Sequence, residues 1–255
     1  MALKNTEILF GFHSVYEALH AGKREFEVLF LSTRRSGERA ERVMALAQNQ
    51  GVAVQFKDPL VLDGMTQSAP HQGIVALASP YPLKKAAQIL PILQDRATPY
   101  FVLIIENMED PQNLGALIRT ALCANVDYIM IPKDRSCLPS STVSRSSAGA
   151  MEHADIYAIN NTASILRDLK ERGAWVFGLD ADGSTGLYES DLTGNIVLII
   201  GGEHKGIRPG VRKECDFILS IPISGKINSL NASVAGGVAM YEAKRQRLKP
   251  LEGKP

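Results

Sequence analysis

Ile196-Val-Leu-Ile-Ile-Gly-Gly-Glu-His-Lys-Gly206 is the stretch that decides the reading of this chain. Its five apolar residues make a strand with no polar face, which suits a parallel sheet covered on both sides. The run then stops abruptly in glycines and charged residues. In open α/β sheets, ligands bind outside the carboxyl ends of the strands. Glycines there let the backbone come close and leave N–H and C=O groups free to read the ligand. Two further units have the same form. Phe101 to Ile105 runs into Glu106-Asn107-Met108-Glu109-Asp110-Pro111-Gln112-Asn113, and Phe217 to Ile221 runs into Pro222 and then Ser229-Leu230-Asn231.

Working outward, the pattern from Pro99 onward is strand, helix, strand, repeated. Asp110-Pro111 reads as an N-cap followed by a first-turn proline, starting a helix that runs to about Asn125. Tyr128 to Ile131 is a strand, Ser140 to Ala150 a polar helix, Thr162 to Arg172 a helix closed by Gly173, Trp175 to Leu179 a strand, and Leu230 to Arg247 a helix. Upstream, residues 8–79 read as a small α/β unit. Its helices are His13 to His20 and Glu38 to Asn49; its strands are Val28 to Leu31, Val52 to Phe56 and Ile74 to Ala78. Pro80, Pro82 and Pro91 punctuate the next segment, with Leu83 to Leu93 as a helix inside a linker. The expected division is residues 1–80, a linker at 81–98, and a larger α/β domain at 99–255.

The chain has 255 residues, 45% hydrophobic and 22% charged, with a formal net charge of +1. That balance is ordinary for a globular protein and carries no whole-molecule signal for nucleic acid. Residues 1–80 are also balanced, with eight basic and eight acidic side chains. Basic character is local: Arg34, Arg35, Arg39 and Arg42 in one group, and Lys244, Arg245, Arg247 and Lys249 in another. Cys123, Cys137 and Cys215 form no Cys-x-x-Cys, so neither a disulfide frame nor a zinc site of cysteines is expected. With no apolar signal core and no apolar run near 18 residues, a cytoplasmic protein without membrane contact is expected.

The three ordered blocks resemble those of the SpoU family, RNA 2′-O-ribose methyltransferases of the SPOUT superfamily. The resemblance rests on Glu106-Asn107 through Asp110 to Ala116 with Arg119-Thr120-Ala121, on Gly201 to Gly206, and on Ile221-Pro222 with Ser229-Leu230-Asn231 and Ser233-Val234-Ala235. It extends over Tyr100 to Arg247. Ile8 to Ser79, with Gly11-Phe12-His13 and His71 to Ala76, is similar to the small substrate-binding domain that precedes the catalytic domain in many members. The layout is most like the bacterial enzymes that methylate a guanosine of 23S ribosomal RNA. Two positions depart: His204-Lys205 where many members have glycine or an acid, and Ala232 where many have valine. Both bear on substrate preference.

The resemblance implies a catalytic domain whose carboxyl-end segment is threaded into a trefoil knot, which sequence physics alone would not propose. It also implies S-adenosylmethionine as cofactor, no metal, RNA as substrate and a homodimer. For that dimer, Val234, Val238, Ala239 and Tyr241 of the last helix would supply an apolar packing face. It assigns Arg119, Asn113, Glu203, Ser229 and Asn231 to catalysis, and Gly201, Gly202, Ile221 and Leu230 to the adenosyl group. Read only as residues, several have plainer roles. Arg119 lies in an apolar run, where an ion pair with Glu106 or Glu203 would satisfy it. Asn231 suits an N-cap. Ile221 and Leu230 suit a core.

A ribose hydroxyl is a weak acid, so its attack on a methyl group needs positioning and help in losing a proton. An arginine gives up its own proton only above about 12, which makes stabilisation of the developing alkoxide the easier task for Arg119. A transfer-RNA target is the enzymatic rival. A catalytically silent RNA-binding or ribosome-assembly protein is the rival of a different class. The presence of all five catalytic candidates argues against the silent protein.

Overall fold

A computed structural model describes residues 5–34, 37–203 and 205–248. Lys4, Arg35, His204 and Lys249 lie outside them. The chain divides into two compact units: residues 1–82 with 139–153, and residues 83–138 with 154–255.

In the first unit the elements run β1 (Glu7–Phe10), α1 (Phe12–Ala21), β2 (Phe26–Ser32), α2 (Glu38–Asn49), β3 (Ala53–Lys57), α3 (Pro59–Met65) and β4 (Ile74–Ala78). The sheet order is β1-β4-β2-β3, antiparallel except between β2 and β3. Leu9, Val15, Leu19, Leu29, Leu31, Val43 and Ile74 form one core cluster. Asp58 caps α3 by accepting the Leu60 N–H, and Pro59 supplies the first-turn proline, the same device expected at Asp110-Pro111.

In the second unit, the expected linker helix is not continuous. Residues 83–98 give β5 (Lys84–Lys85), a single 3₁₀ turn (Ala86–Gln88) and α4 (Ile89–Gln94). Next come β6 (Phe101–Glu106), α5 (Pro111–Cys123) and β7 (Tyr128–Pro132). The chain then joins the first unit through α6 (Ser141–Ser146) and α7 (Ala150–His153). The polar helix expected from Ser140 to Ala150 is therefore broken. Ala148 and Gly149 carry φ of +51° and +80° between its halves. Serines in that segment cap and cross-link: the Ser140 hydroxyl accepts from the Val143 N–H, and the Ser144 hydroxyl donates to Glu152.

The second unit resumes with β8 (Ile156–Ile159), α8 (Thr162–Lys170), β9 (Trp175–Leu179), β10 (Thr185–Gly186), β11 (Ile196–Gly201), α9 (Pro209–Arg212), β12 (Phe217–Ser220) and α10 (Ala232–Arg247). Its eight strands are ordered β10-β12-β9-β11-β6-β7-β8-β5, with every pairing parallel. All six residues of β6 and five of the six in β11 are buried, as expected of a covered parallel sheet. Burial pushes the Cys215 thiol up to about 12, so it behaves as an apolar filler, and all three cysteines are free. Among the described residues, no helix is long and apolar enough to cross a membrane.

The order of the strands contains the threading. β10 follows β9 in the chain, yet β12 lies between them, so the connection from β9 through β10 to β11 passes around β12. Gly183 of that connection presses on Leu219, whose carbonyl carbon would lie 2.5 Å from an added Cβ. The helix leaving β12 is tied to the same loop. Gln246 accepts from the Leu192 N–H and donates to the Ser190 carbonyl, and Arg247 Nε donates to the Leu192 carbonyl. This is the threading implied by the trefoil knot. α10 then crosses β11 and α5 closely at Gly236, where a Cβ would fall 2.4 Å from Ile200 Cδ1 and 2.5 Å from Leu117 Cδ2.

Candidate active site

The three motif loops meet at the carboxyl ends of β6, β11 and β12. On β6 the last residue, Glu106, is fully buried and bonded bidentately by Arg208, at 2.7 and 2.8 Å, with the Thr162 hydroxyl also donating to it. Asn107 follows with φ of +51°, and its amide donates to the Gly206 carbonyl at 3.0 Å. That contact fixes the β11 loop against the β6 loop. Gly202 sits so close that an added Cβ would lie 2.0 Å from the Asn107 oxygen, and one on Gly201 would lie 2.3 Å from the Gly206 carbonyl carbon. Side chains are excluded at both positions by backbone on the opposite side.

Asp110 caps α5 by accepting the N–H groups of Gln112 and Asn113, which turns the Asn113 side chain toward the β11 loop. Asn113 Nδ2 donates to Glu203 Oε1 at 3.1 Å. Asn231 Nδ2 donates to Asn113 Oδ1 at 3.1 Å and also to Glu203 Oε1. Meanwhile Asn231 Oδ1 caps α10 by accepting from the N–H groups of Ser233 and Val234. Capping and site geometry are thus compatible in Asn231, because its two side-chain ends serve them separately. One residue from each motif meets in this cluster.

Beside the cluster lies a cleft of about 410 Å³, within the range of small-molecule sites. Gly201, Gly202, Glu203, Ile221, Ser229, Leu230 and Asn231 all line it. Leu230 precedes α10 and is 41% exposed, and Ile221 is half-buried, so neither is core. Two apolar walls beside glycine backbone make a surface for a flat heterocycle with polar edges.

Leu179, Asp180, Ala181 and Ile223, to which the sequence assigned no site role, also line the cleft, as do Ala232 and Ala235 of the third motif. Asp180 had the signal needed to find it, since it directly follows the apolar strand β9, as Glu203 follows β11 after one further glycine. Its carboxylate is held by Arg212 at 2.5 Å.

Arg119 stands apart. It is exposed, it does not line the cleft, and among the described residues it has no hydrogen bond or ion pair. The ion pair considered for it is not formed, because Glu106 is taken by Arg208 and Glu203 by the two asparagines. Six residues of helix separate it from Asn113, a rise of about 9 Å with side chains diverging by about 120°.

The SpoU rRNA Methylase family profile matches residues 100–241, more than half the chain. This chain belongs to the SpoU family. A second profile, RNA 2'-O ribose methyltransferase substrate binding, matches residues 8–84. The chain is 36% identical over 245 residues to the 23S rRNA (guanosine-2'-O-)-methyltransferase RlmB of Pseudomonas putida, covering 96% of this chain and 98% of that protein. It is 34% identical over 242 residues to the protein of the same name from Escherichia coli K12, covering 95% and 99%. Among solved structures, the SpoU methyltransferase AviRb of Streptomyces viridochromogenes, in complex with the cofactor AdoMet, superposes with a TM-score of 0.80 at 21% identity, over 95% of this chain and 91% of that one. That likeness shows the SpoU fold.

Proposed function

We propose that this SpoU-family protein transfers the methyl group of S-adenosylmethionine to a ribose 2′-hydroxyl of RNA in the cytoplasm, with a guanosine of 23S ribosomal RNA as the target. The observation that carries the reading is the Asn113–Glu203–Asn231 cluster, one residue per motif, at the rim of a cleft built by the threaded loops. The cleft suits the cofactor: Gly201 and Gly202, packed against the Gly206 and Asn107 backbone, line it together with Ile221 and Leu230. Bound there, S-adenosylmethionine would supply an electrophilic methyl group on a positive sulfur.

The chain's own residues then have distinct tasks. Glu203 holds both asparagine amides, so the Asn113 and Asn231 side chains enter the site in fixed orientation, without reorganisation when substrate arrives. Ser229, exposed and without a hydrogen-bond partner among the described residues, is free to bond the ribose. Arg119 supplies a guanidinium for a phosphate or for the alkoxide developing on the 2′ oxygen. No step needs a metal. The first unit, where the substrate-binding profile matches, presents the RNA.

The expected test combines binding with mapping. Calorimetry on the purified protein should detect S-adenosylmethionine, and mapping of ribose methylation should show one guanosine of 23S RNA losing its mark when the gene is deleted. Loss of a transfer-RNA mark instead would move the target to the rival class. No lost mark together with no cofactor binding would leave a silent RNA-binding protein.

The working form is proposed to be a homodimer. On α10, Val234 and Tyr241 are 52% and 50% exposed, and Val238 lies between them at helical spacing. Ala239 faces the core instead and is removed from the expected packing face. Exposed Leu122 and Arg119 lie on α5, against which α10 packs. An apolar face beside an unpaired catalytic candidate suits a second copy that buries the one and completes the site with the other. Light scattering should give the mass of two chains for wild type and a smaller mass for Val234→Glu. A fully active monomer at assay concentration would rule the dimer out.

A further inference from the structure

We propose that Glu17, His20 and His153 form a Zn²⁺ site in the first unit, clipping α7 to α1. Glu17 and His20 are three residues apart on α1, so they share a face. His153 closes α7, 136 positions along the chain from Glu17, yet its Nε2 lies 2.8 Å from Glu17 Oε2. His20 Nδ1 lies 3.8 Å from the same oxygen. The two imidazoles meet edge to face with centroids 5.8 Å apart, and the three ligand atoms all lie within 4.8 Å of one another. Two histidines and a carboxylate are a recognised zinc donor set with bonds of about 2.0–2.2 Å, so ligand atoms around one ion sit roughly 3.3 Å apart. The separations of 2.8 and 3.8 Å from Glu17 Oε2 to the two ring nitrogens bracket that spacing.

The backbone prepares the place independently. Gly149, at φ +80°, packs so closely on α1 that an added Cβ would lie 2.6 Å from both Cβ and Cγ of Glu17. Only glycine admits that approach, and it seats the start of α7 on the turn of α1 that carries Glu17. Glu152, the neighbour of His153, is locked to Arg24 by bonds of 2.7 and 3.0 Å. Little reorganisation is then needed to bring the two rings onto one ion. The His20 side chain is 62% exposed, which leaves a coordination position open to water. The site lies in the other unit from the cofactor cleft and takes no part in methyl transfer. Its effect is on the segment 139–153, which the ion would hold in the first unit.

The test is titration of chelator-treated full-length protein with ZnCl₂, read by calorimetry and by metal analysis after dialysis. One Zn²⁺ per chain is expected, with a rise in melting temperature and no competition from Mg²⁺, which prefers oxygen ligands. Changing a residue that merely supports a ligand costs about 10–100-fold in affinity, so His20→Ala, His153→Ala and Glu17→Gln should each cost at least about 100-fold. His13→Ala, at an exposed histidine on the same helix, should leave zinc affinity unchanged. Melting in chelator checks that each variant is folded. Zinc binding by the folded triple variant equal to that of wild type, or no binding by wild type, overturns the proposal.

Discussion

Arg119→Ala is expected to lower methyl transfer by at least about 100-fold while leaving S-adenosylmethionine affinity within about twofold, on the scale of losing one preorganised donor to a developing oxyanion. Three observations set this expectation. The side chain is exposed, so its loss leaves no buried partner behind, and folding stability should move by no more than about 0.5 kcal/mol. It lines no part of the cleft, so the cofactor should not register the change. Among the described residues it makes no ion pair, which leaves its five donors available to RNA. Arg119→Lys should recover little, because a point charge does not reproduce a planar fork. Single-turnover methylation of RNA alongside calorimetry separates the two quantities. Near-normal turnover by Arg119→Ala would remove the residue from catalysis.

Glu152→Ala should destabilise the protein by about 3 kcal/mol, the lower end of the roughly 3–5 kcal/mol seen when one partner of a buried ion pair is removed. Glu152 is fully buried and Arg24 is 6% exposed. Arg24 donates twice to Glu152, once to Glu7 at 2.5 Å and once to the Ser79 carbonyl at 3.0 Å. Glu7 remains after the substitution, which is why the lower figure is expected. Ser144, buried and donating to Glu152 at 2.7 Å, loses its acceptor as well. Urea unfolding at neutral pH reads the change, and a shift under about 1 kcal/mol would show that water or Glu7 alone satisfies Arg24. The same network bears on dissection of the chain. Cutting at Pro80 removes Arg24 and the α1 surface but leaves residues 139–153, so Glu152 and Met151 lose their cover. Point substitutions in the first unit are therefore the sounder way to test its part in RNA selection.

Much of this architecture was legible in the sequence because its signals are local. The apolar runs at Phe101 and Ile196 are strands with no polar face, and Trp175 to Leu179 is one whose interior is buried while Trp175 itself is exposed. Asp110-Pro111 and Asn231 start helices because their side chains satisfy N–H groups two and three residues on. Glycine at 201 and 202, next to a strand end, was read as a close approach to a ligand, and in the structure the close approach is to the backbone of Gly206 and Asn107. Elements with weak local signals were missed: β1, β8, β10 and α9 are four residues or fewer, and they exist through pairing and packing.

What only the tertiary structure decided depends on partners distant in the chain. The sequence could propose an ion pair for Arg119 but not that Arg208, 102 residues from Glu106, had already occupied that carboxylate. It could describe Ser140 to Ala150 as polar and helical but not assign that segment to the first unit, since the assignment rests on contacts of Arg24, Glu7 and Gly149 made across more than a hundred residues. Threading of β12 inside the β9–β11 connection leaves no trace in hydrophobic periodicity, because a strand has the same pattern of burial whichever neighbours it inserts between. Periodicity reports which side of an element is dry; only the folded chain sets which groups stand across from it.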